Sequence, residues 1–81
     1  MIEFQRLTVL HYGETTQEDR RITLSPMNIV LVAAEVDDVV VNGRSVRKVT
    51  VLFLDQSSVD VVVNHADLEL MEAAIGSFCL S

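Results

Sequence analysis

The sequence predicts an α+β fold in which a small antiparallel sheet of about five strands carries one C-terminal helix. Fourteen of the 81 residues are valine, and its branched side chain prefers strands to helices. The hydrophobic period is two along most of the chain and lengthens after Val63, which indicates that the last segment is a helix. A chain of this length is expected to form one domain over residues 1–81.

The clearest pair of strands lies within residues 46–64, on either side of a polar turn at residues 55–58. Period-two spacing of valine and phenylalanine predicts one buried face. The residues predicted to face inward are Val49, Val51, Phe53, Val59, Val61 and Val63. The opposite face carries a second apolar strip, made of Val46, Leu52, Leu54 and Val62. Such a strip needs a cover, either from this chain or from another copy of it.

Two further strands are predicted in the N-terminal third of the chain, of which the second is short. Residues 2–12 form the first, and its apolar phase changes part-way, so we expect a bulge near Gln5 and Arg6. Residues 13–19 are polar and lack a period, which is typical of a loop. The second strand covers residues 20–24.

The dipeptide Ser25-Pro26 interrupts the second strand, because proline has no N–H group to donate to a sheet. Two interpretations of the following residues remain open. Ser25 could cap a helix with Pro26 at its first position, whereas the Ile/Val-rich residues 29–32 suit a buried strand. We favour a short turn over residues 26–28 followed by a strand over residues 29–36.

A hairpin is predicted at Asn42-Gly43, directly after a short strand over residues 39–41. Both turn residues tolerate the positive φ that a type I′ turn requires. A two-residue turn at this point would place Val39 opposite Val46 and set the register of the central strand.

The C-terminal helix is predicted to begin after Asn64, a good N-cap residue, with Asp67 in its first turn. Apolar residues then follow at spacings of three, four and three, namely Leu68, Met71, Ile75 and Phe78. We expect this stripe to pack on the sheet and the helix to end near residues 76–78.

The charge balance bears on the possible partners. Six basic against twelve acidic residues give a formal charge of −6, which argues against nucleic-acid binding, since phosphates are held by positive patches. A single cysteine, Cys79, fits a reducing compartment. The N-terminus lacks the pattern of a secretory signal, and no apolar run approaches membrane-spanning length. We therefore expect a cytoplasmic protein with no membrane partner.

Catalytic and metal-binding motifs receive little support. His65, Asp67 and either Ser57 or Ser58 have the residue types of a triad, but a capping role explains the Asp67 carboxylate without any catalysis, and no glycine-rich oxyanion loop accompanies them. His11 and His65 lack the paired Cys/His spacing of zinc sites. We predict no catalytic residue, no metal site and no cofactor.

One basic cluster is the best candidate for a polar binding site. Arg44, Arg47 and Lys48 lie at and after the Asn-Gly turn, and Arg20 and Arg21 form a second pair. Together they could bind a phosphate or the carboxylates of a partner. The alternative is that they are solvated charges that protect strand edges from aggregation.

The layout from residue 22 to residue 78 resembles the small FlbD- and SwrD-type proteins that are linked to flagella and swarming. The resemblance rests on the stretches Leu24-Ser25-Pro26, Asp55-Gln56 and Val63-Asn64-His65. In that family these positions carry an Asn-Pro turn, an Asn-Gly turn and a Val-x-Glu-Ser helix entry. The match therefore concerns the positions of the turns and of the helix start, and not the identity of the residues. The layout is also similar to small phage and prophage proteins. The resemblance implies a small β-rich domain.

We expect a non-enzymatic module for protein interaction and assembly, which associates with itself and with another protein. One alternative is a phage-type inhibitor or sequestering protein that meets a basic host surface through an acidic face. The residues of that face are Glu35, Asp37, Asp38, Asp55 and Asp60. Another alternative is a binder of small anions or nucleotides that uses the basic cluster.

Overall fold

The computed structural model describes residues 6–75 and the strand at residues 78–80. The predicted α+β class is confirmed, with the described strands arranged in two sheets. The strands are β1 (Leu7–His11), β2 (Arg20–Leu24), β3 (Ile29–Ala34), β4 (Val39–Val41), β5 (Arg44–Phe53), β6 (Ser58–Val63) and β7 (Phe78–Leu80). One α-helix, α1 (His65–Ala74), follows β6.

The larger sheet is built around β5, which has ten residues. Strands β3, β4 and β6 all pair with it in antiparallel orientation, and β7 pairs with β3 in parallel orientation. Val51 stands opposite Val32 on one side and Val59 on the other. Such cross-strand contacts between β-branched residues stabilise a sheet, so the predicted central pair is confirmed as the middle of the fold.

The Asn-Gly hairpin forms as predicted. Asn42 and Gly43 both adopt positive φ, 51° and 76°, as a type I′ turn requires. Val39 pairs with Val46 in the resulting register. At the other turn, within the polar segment at residues 55–58, Gln56 has a φ of 71°.

The segment after Ser25 follows the interpretation that we favoured. Residues Pro26–Asn28 form a 3₁₀ turn, and β3 begins directly at Ile29. The strand ends at Ala34, two residues before the predicted end. The predicted loop at residues 13–19 also contains a 3₁₀ turn, Thr16–Glu18.

The smaller sheet consists of β1 and β2, in which Leu7 stands opposite Leu24 and Val9 opposite Ile22. Leu7, Val9 and Leu24 are buried in the core. This hairpin therefore covers part of the core that the larger sheet alone would leave exposed. The bulge predicted near Gln5 lies outside the described residues.

Three hydrogen bonds, each donated by a backbone N–H group, hold β1 and the residue after it against β6 and α1. The Tyr12 N–H donates to the Val62 carbonyl at 2.8 Å, and the Val62 N–H donates to His11 Nδ1 at 3.0 Å. The Leu10 N–H donates to Asp67 Oδ2 at 3.0 Å. The carboxylate of Asp67 thus links α1 to β1, a contact that the predicted capping role did not include.

The helix begins as predicted. Asn64 Oδ1 accepts a hydrogen bond from the Asp67 N–H at 2.7 Å, and Leu68, Met71 and Ile75 are buried against the sheets. The predicted end at residues 76–78 is wrong, because α1 ends at Ala74 and Phe78–Leu80 is a strand. In so short an apolar segment, the spacing of the apolar residues does not distinguish the last turn of a helix from a strand.

The core forms where the two sheets and the helix meet. Its central members are almost completely shielded from solvent: Val9, Val32, Val49, Val51, Val61, Val63 and Met71. In the part of the chain that the structure describes, no helix is long and apolar enough to cross a bilayer.

Candidate functional site

Arg44, the first residue of the predicted basic cluster, is bound within the chain. Its guanidinium donates to both carboxylate oxygens of Asp19, at 2.6 and 3.1 Å. It also donates to the Gly13 carbonyl at 3.2 Å, and its Cζ lies 4.5 Å from the centre of the Tyr12 ring. Bidentate pairing and stacking suit the planar guanidinium. Arg44 therefore holds the segment of residues 12–19 against the start of β5.

Arg47, the second residue, is also bound by a carboxylate of the same chain, here through one oxygen only. Its Nε and Nη2 donate to Asp38 Oδ1 at 3.1 and 2.8 Å. The other carboxylate oxygen of Asp38 accepts from Ser45 at 3.3 Å and lies 3.2 Å from His65 Nε2. The hydrogen bond from Arg47 is the main cause that lowers the pKa of Asp38. This network joins the turn before β4 to the start of α1.

Lys48 differs from the two arginines. Its side chain is exposed and forms no ion pair with any residue from 6 to 75. It lines an open pocket together with His11, Tyr12 and Glu14. Two of the three predicted cations are thus neutralised by carboxylates of the same chain, and an anion would have to compete with these carboxylates. Anion binding at this cluster stays a prediction.

The ion pair between Arg44 and Asp19 should make the stability of the folded chain depend on pH. Its hydrogen bond, aided by the Gly13 N–H, lowers the pKa of Asp19 below its ordinary value of 3.8. The carboxylate of Asp19 thus binds a proton less readily in the folded state than in the unfolded state. The stabilisation is present above pH 3.8 and is lost as the pH falls below that value.

We therefore expect Arg44→Gln to lower the free energy of unfolding at about pH 6 and to lower it less at about pH 2.5. Urea unfolding at both pH values measures the difference from the unsubstituted chain. Lys48→Gln is the matched control, because Lys48 has no ion pair in residues 6–75. If Arg44→Gln lowered the free energy of unfolding by the same amount at both pH values, the ion pair between Arg44 and Asp19 would not be the source of the stabilisation.

Val46 does not belong to the exposed apolar strip that the alternation predicted. It is only 1% exposed in a single chain, so it is not available to a partner. Alternation along a strand does not show which distant segment packs on its outer face, and two residues before Val46 the side chain of Arg44 holds residues 12–19 against the sheet. That segment is distant in the sequence, and the local pattern contains no sign of it.

The other three members of the predicted strip are accessible to different degrees. Leu52 and Val62 are half-buried, whereas Leu54 is 65% exposed. Thr50 and Asp60, which lie between Leu52 and Val62 on this face, are joined by a hydrogen bond of 2.7 Å. A polar pair thus divides the strip, and Val62 lies at the other end, beside the small sheet.

Among the residues whose exposure the structure describes, 6–75, the largest concentration of exposed apolar side chains lies at one end of the larger sheet. We call it the end patch, and it consists of Met27, Val30, Leu31, Leu52 and Leu54. Met27 is 59% exposed, Val30 45% and Leu31 37%.

The backbone brings the members of the end patch together. Leu31 stands directly opposite Leu52 in the pairing of β3 with β5. The Leu54 N–H donates to the carbonyl of Asn28 at 2.9 Å, which places the end of β5 beside the turn that contains Met27. A register shift between residues 29 and 31 accounts for the exposure of two consecutive apolar residues, because a bulge disturbs the alternation of faces.

Met27, Val30 and Leu31 were not among the predicted interface residues. One signal in the sequence points to them, because residues 22–34 contain no charged side chain, although 22% of all residues are charged. Strand segments without a neighbour are commonly protected by charged residues, and β7 pairs only with residues 32–34 of β3. An uncharged stretch that includes a turn and a strand end is therefore unusual for a surface in contact with water only.

No family model, no curated protein and no solved structure matches the chain. The resemblance to FlbD- and SwrD-type proteins therefore stays a prediction.

Proposed function

We propose that this protein is a non-enzymatic interaction module of the cytoplasm that associates with itself through the end patch and assembles with another protein. The observation that carries the proposal is the exposure of Met27, Val30, Leu31 and Leu54 at one end of the sheet. Exposed apolar surface that is contiguous typically marks a site of protein interaction. The single cysteine supports a reducing compartment.

The surroundings of Val36 and Leu70, two other exposed apolar residues, favour the end patch. Val36 is 57% exposed but is flanked in sequence by Glu35 and Asp37. Leu70 is 51% exposed and follows Glu69 on the helix. Charged residues are depleted from the centres of protein interfaces. The end patch, unlike these two positions, combines exposure with an uncharged neighbourhood.

Light scattering after size exclusion tests the proposal. We expect the unsubstituted chain at high micromolar concentration to show a mass above the 9.0 kDa of one copy. The double substitution Leu31→Lys and Leu54→Lys should return the mass to that of one copy, because it introduces like charges into the contact. Circular dichroism shows whether the variant has kept its fold.

Val40→Lys is the matched control for this experiment. Val40 is 75% exposed, lies on the short strand β4, and is the same type of apolar surface residue. Its substitution should leave the mass equal to that of the unsubstituted chain. The proposal fails if the unsubstituted chain has the mass of one copy over the whole concentration range.

The alternative of an inhibitor that acts through an acidic face receives less support. Asp38 accepts hydrogen bonds from Arg47 and Ser45, and Asp60 accepts one from Thr50. The hydrogen bonds from Ser57 likewise lower the pKa of Asp55. These carboxylates have partners within the chain, and a basic surface would have to compete with those partners.

A further inference from the structure

We infer that the outer edge of β2 binds an extended acidic segment of another protein, which adds to the small sheet as a third strand. The inference rests on the proposed function only where that function includes assembly with another protein. It names the surface that meets this partner and the chemistry of the partner, and it does not involve the end patch.

The hydrogen bonds of β1 show which backbone groups of β2 face outward. In an antiparallel pair, residues that exchange hydrogen bonds alternate with residues whose backbone groups point away from the other strand. Leu10 stands opposite Arg21, and the Leu10 N–H donates to Asp67 on α1. This pair is therefore of the second kind, and so is the pair of Thr8 and Thr23 two positions away. The N–H and carbonyl groups of Arg21 and Thr23 thus point away from β1.

None of the described residues occupies this edge. Within residues 6–75 and 78–80, β1 is the only strand that pairs with β2, and no other segment forms a backbone hydrogen bond with Arg21 or Thr23. The side chains of both residues are exposed. Unpaired backbone groups along a strand are a template for a further strand, and extended peptides bind to sheets at such edges.

The charges at this edge indicate the chemistry of the partner. Arg20 and Arg21 are exposed and form no ion pair with any described residue. Residues directly opposite each other in neighbouring strands have Cβ atoms about 4.5–5.5 Å apart, so opposite charges attract each other there. Because successive residues point to opposite faces, two successive carboxylates on the added strand would meet one guanidinium on each face of the sheet.

A second copy of this chain does not supply these carboxylates through the same edge. None of the five residues of β2 is acidic, so a contact between two β2 edges would bring the arginines of both copies together. Such like charges repel each other, and they protect the edge from pairing with itself. An acidic strand of a different protein is therefore the occupant that the charges favour.

Titration with a hexapeptide, followed by NMR, tests the inference. The probe peptide has blocked ends and the sequence threonine-valine-glutamate-glutamate-valine-threonine, which presents two successive carboxylates in either chain direction. We expect saturable binding with a dissociation constant of about 1 mM or lower. Hydrogen exchange of the Arg21 and Thr23 N–H groups should slow in the complex, because both groups then donate to the added strand. The absence of saturable binding would overturn the inference.

Two control peptides separate the effect of charge from that of backbone pairing. Replacement of both glutamates by lysine should weaken binding at least about tenfold, because like charges then face each other. Methylation of every backbone nitrogen of the probe peptide keeps the carboxylates but removes the donors of a strand ladder. It should weaken binding to a similar degree. If the methylated peptide bound as tightly as the probe peptide, the contact would depend on charge alone, and the added strand would be wrong.

A charge reversal on the protein locates the site. We expect Arg21→Glu to weaken binding of the probe peptide at least about fivefold and to strengthen binding of the lysine peptide. Lys48→Glu is the matched control, since Lys48 is an exposed cation of β5 without an ion pair in residues 6–75. It should bind the probe peptide as the unsubstituted chain does. Equal losses in the two variants would reflect net charge and would contradict a site at β2.

The outcomes separate this inference from the self-association of the proposed function. If the unsubstituted chain associates with itself but does not bind the probe peptide, the inference fails and self-association stands. If the chain has the mass of one copy but binds the probe peptide at β2, self-association fails and the acidic partner strand stands.

Discussion

Replacement of Met71 by alanine should lower the free energy of unfolding by about 2–5 kcal/mol. Met71 is completely buried and belongs to the cluster that joins α1 to both sheets. Truncation removes buried apolar atoms and leaves a cavity that the surrounding strands cannot fill without moving. At about 0.05–0.15 kcal/mol per residue, the total stability of a chain of this size is only about 4–12 kcal/mol. The substitution therefore removes a large share of it.

Urea unfolding followed by circular dichroism measures this effect, and the neighbouring residue supplies the control. Leu70 is 51% exposed on the same helix, so Leu70→Ala should change the stability by no more than about 0.5 kcal/mol. Equal effects of the two substitutions would show that α1 packs on the sheets through a different face.

Replacement of Val46 by lysine should unfold the protein or cost about 4 kcal/mol or more. Val46 is only 1% exposed, and an ammonium group at this position would lose its hydration without a partner. The substitution also separates the alternation-based prediction from the structure, because a residue of an exposed strip would accept lysine easily.

Leu54→Lys is the matched control for Val46→Lys, since both positions belong to the strip that the sequence predicted. Leu54 is 65% exposed, so lysine there should leave the thermal unfolding temperature nearly unchanged and should weaken self-association. Circular dichroism melting of both variants decides the matter. A folded, stable Val46→Lys chain would contradict the burial of Val46.

Local patterns predicted most of the fold because each of them has a local physical cause. Positive φ at Asn42 and Gly43 is a property of two residues, and it was sufficient to place Val39 opposite Val46. The cap at Asn64 is formed with a residue three positions away. The end of the helix was predicted wrongly because the position of Phe78 fits both the apolar stripe of a helix and a strand that pairs with β3.

The candidate site was less predictable, because its properties depend on contacts between distant parts of the chain. Arg44 and Asp19 are 25 residues apart, and Arg47 and Asp38 are nine residues apart. A sequence pattern shows that these charges exist but not which carboxylate neutralises which guanidinium. The end patch likewise requires Met27 and Leu54 to lie at the same end of the sheet.

By itself, the sequence determined the α+β class, the central strand pair, the Asn-Gly hairpin and the start of the helix, because short-range steric and hydrophobic periodicities specify these features. Only the tertiary structure decided that Val46 is covered, that two arginines are paired within the chain, and that β7 lies beside β3. Burial and ion pairing depend on which surfaces meet after the chain has folded, and residues far apart in the sequence supply those surfaces.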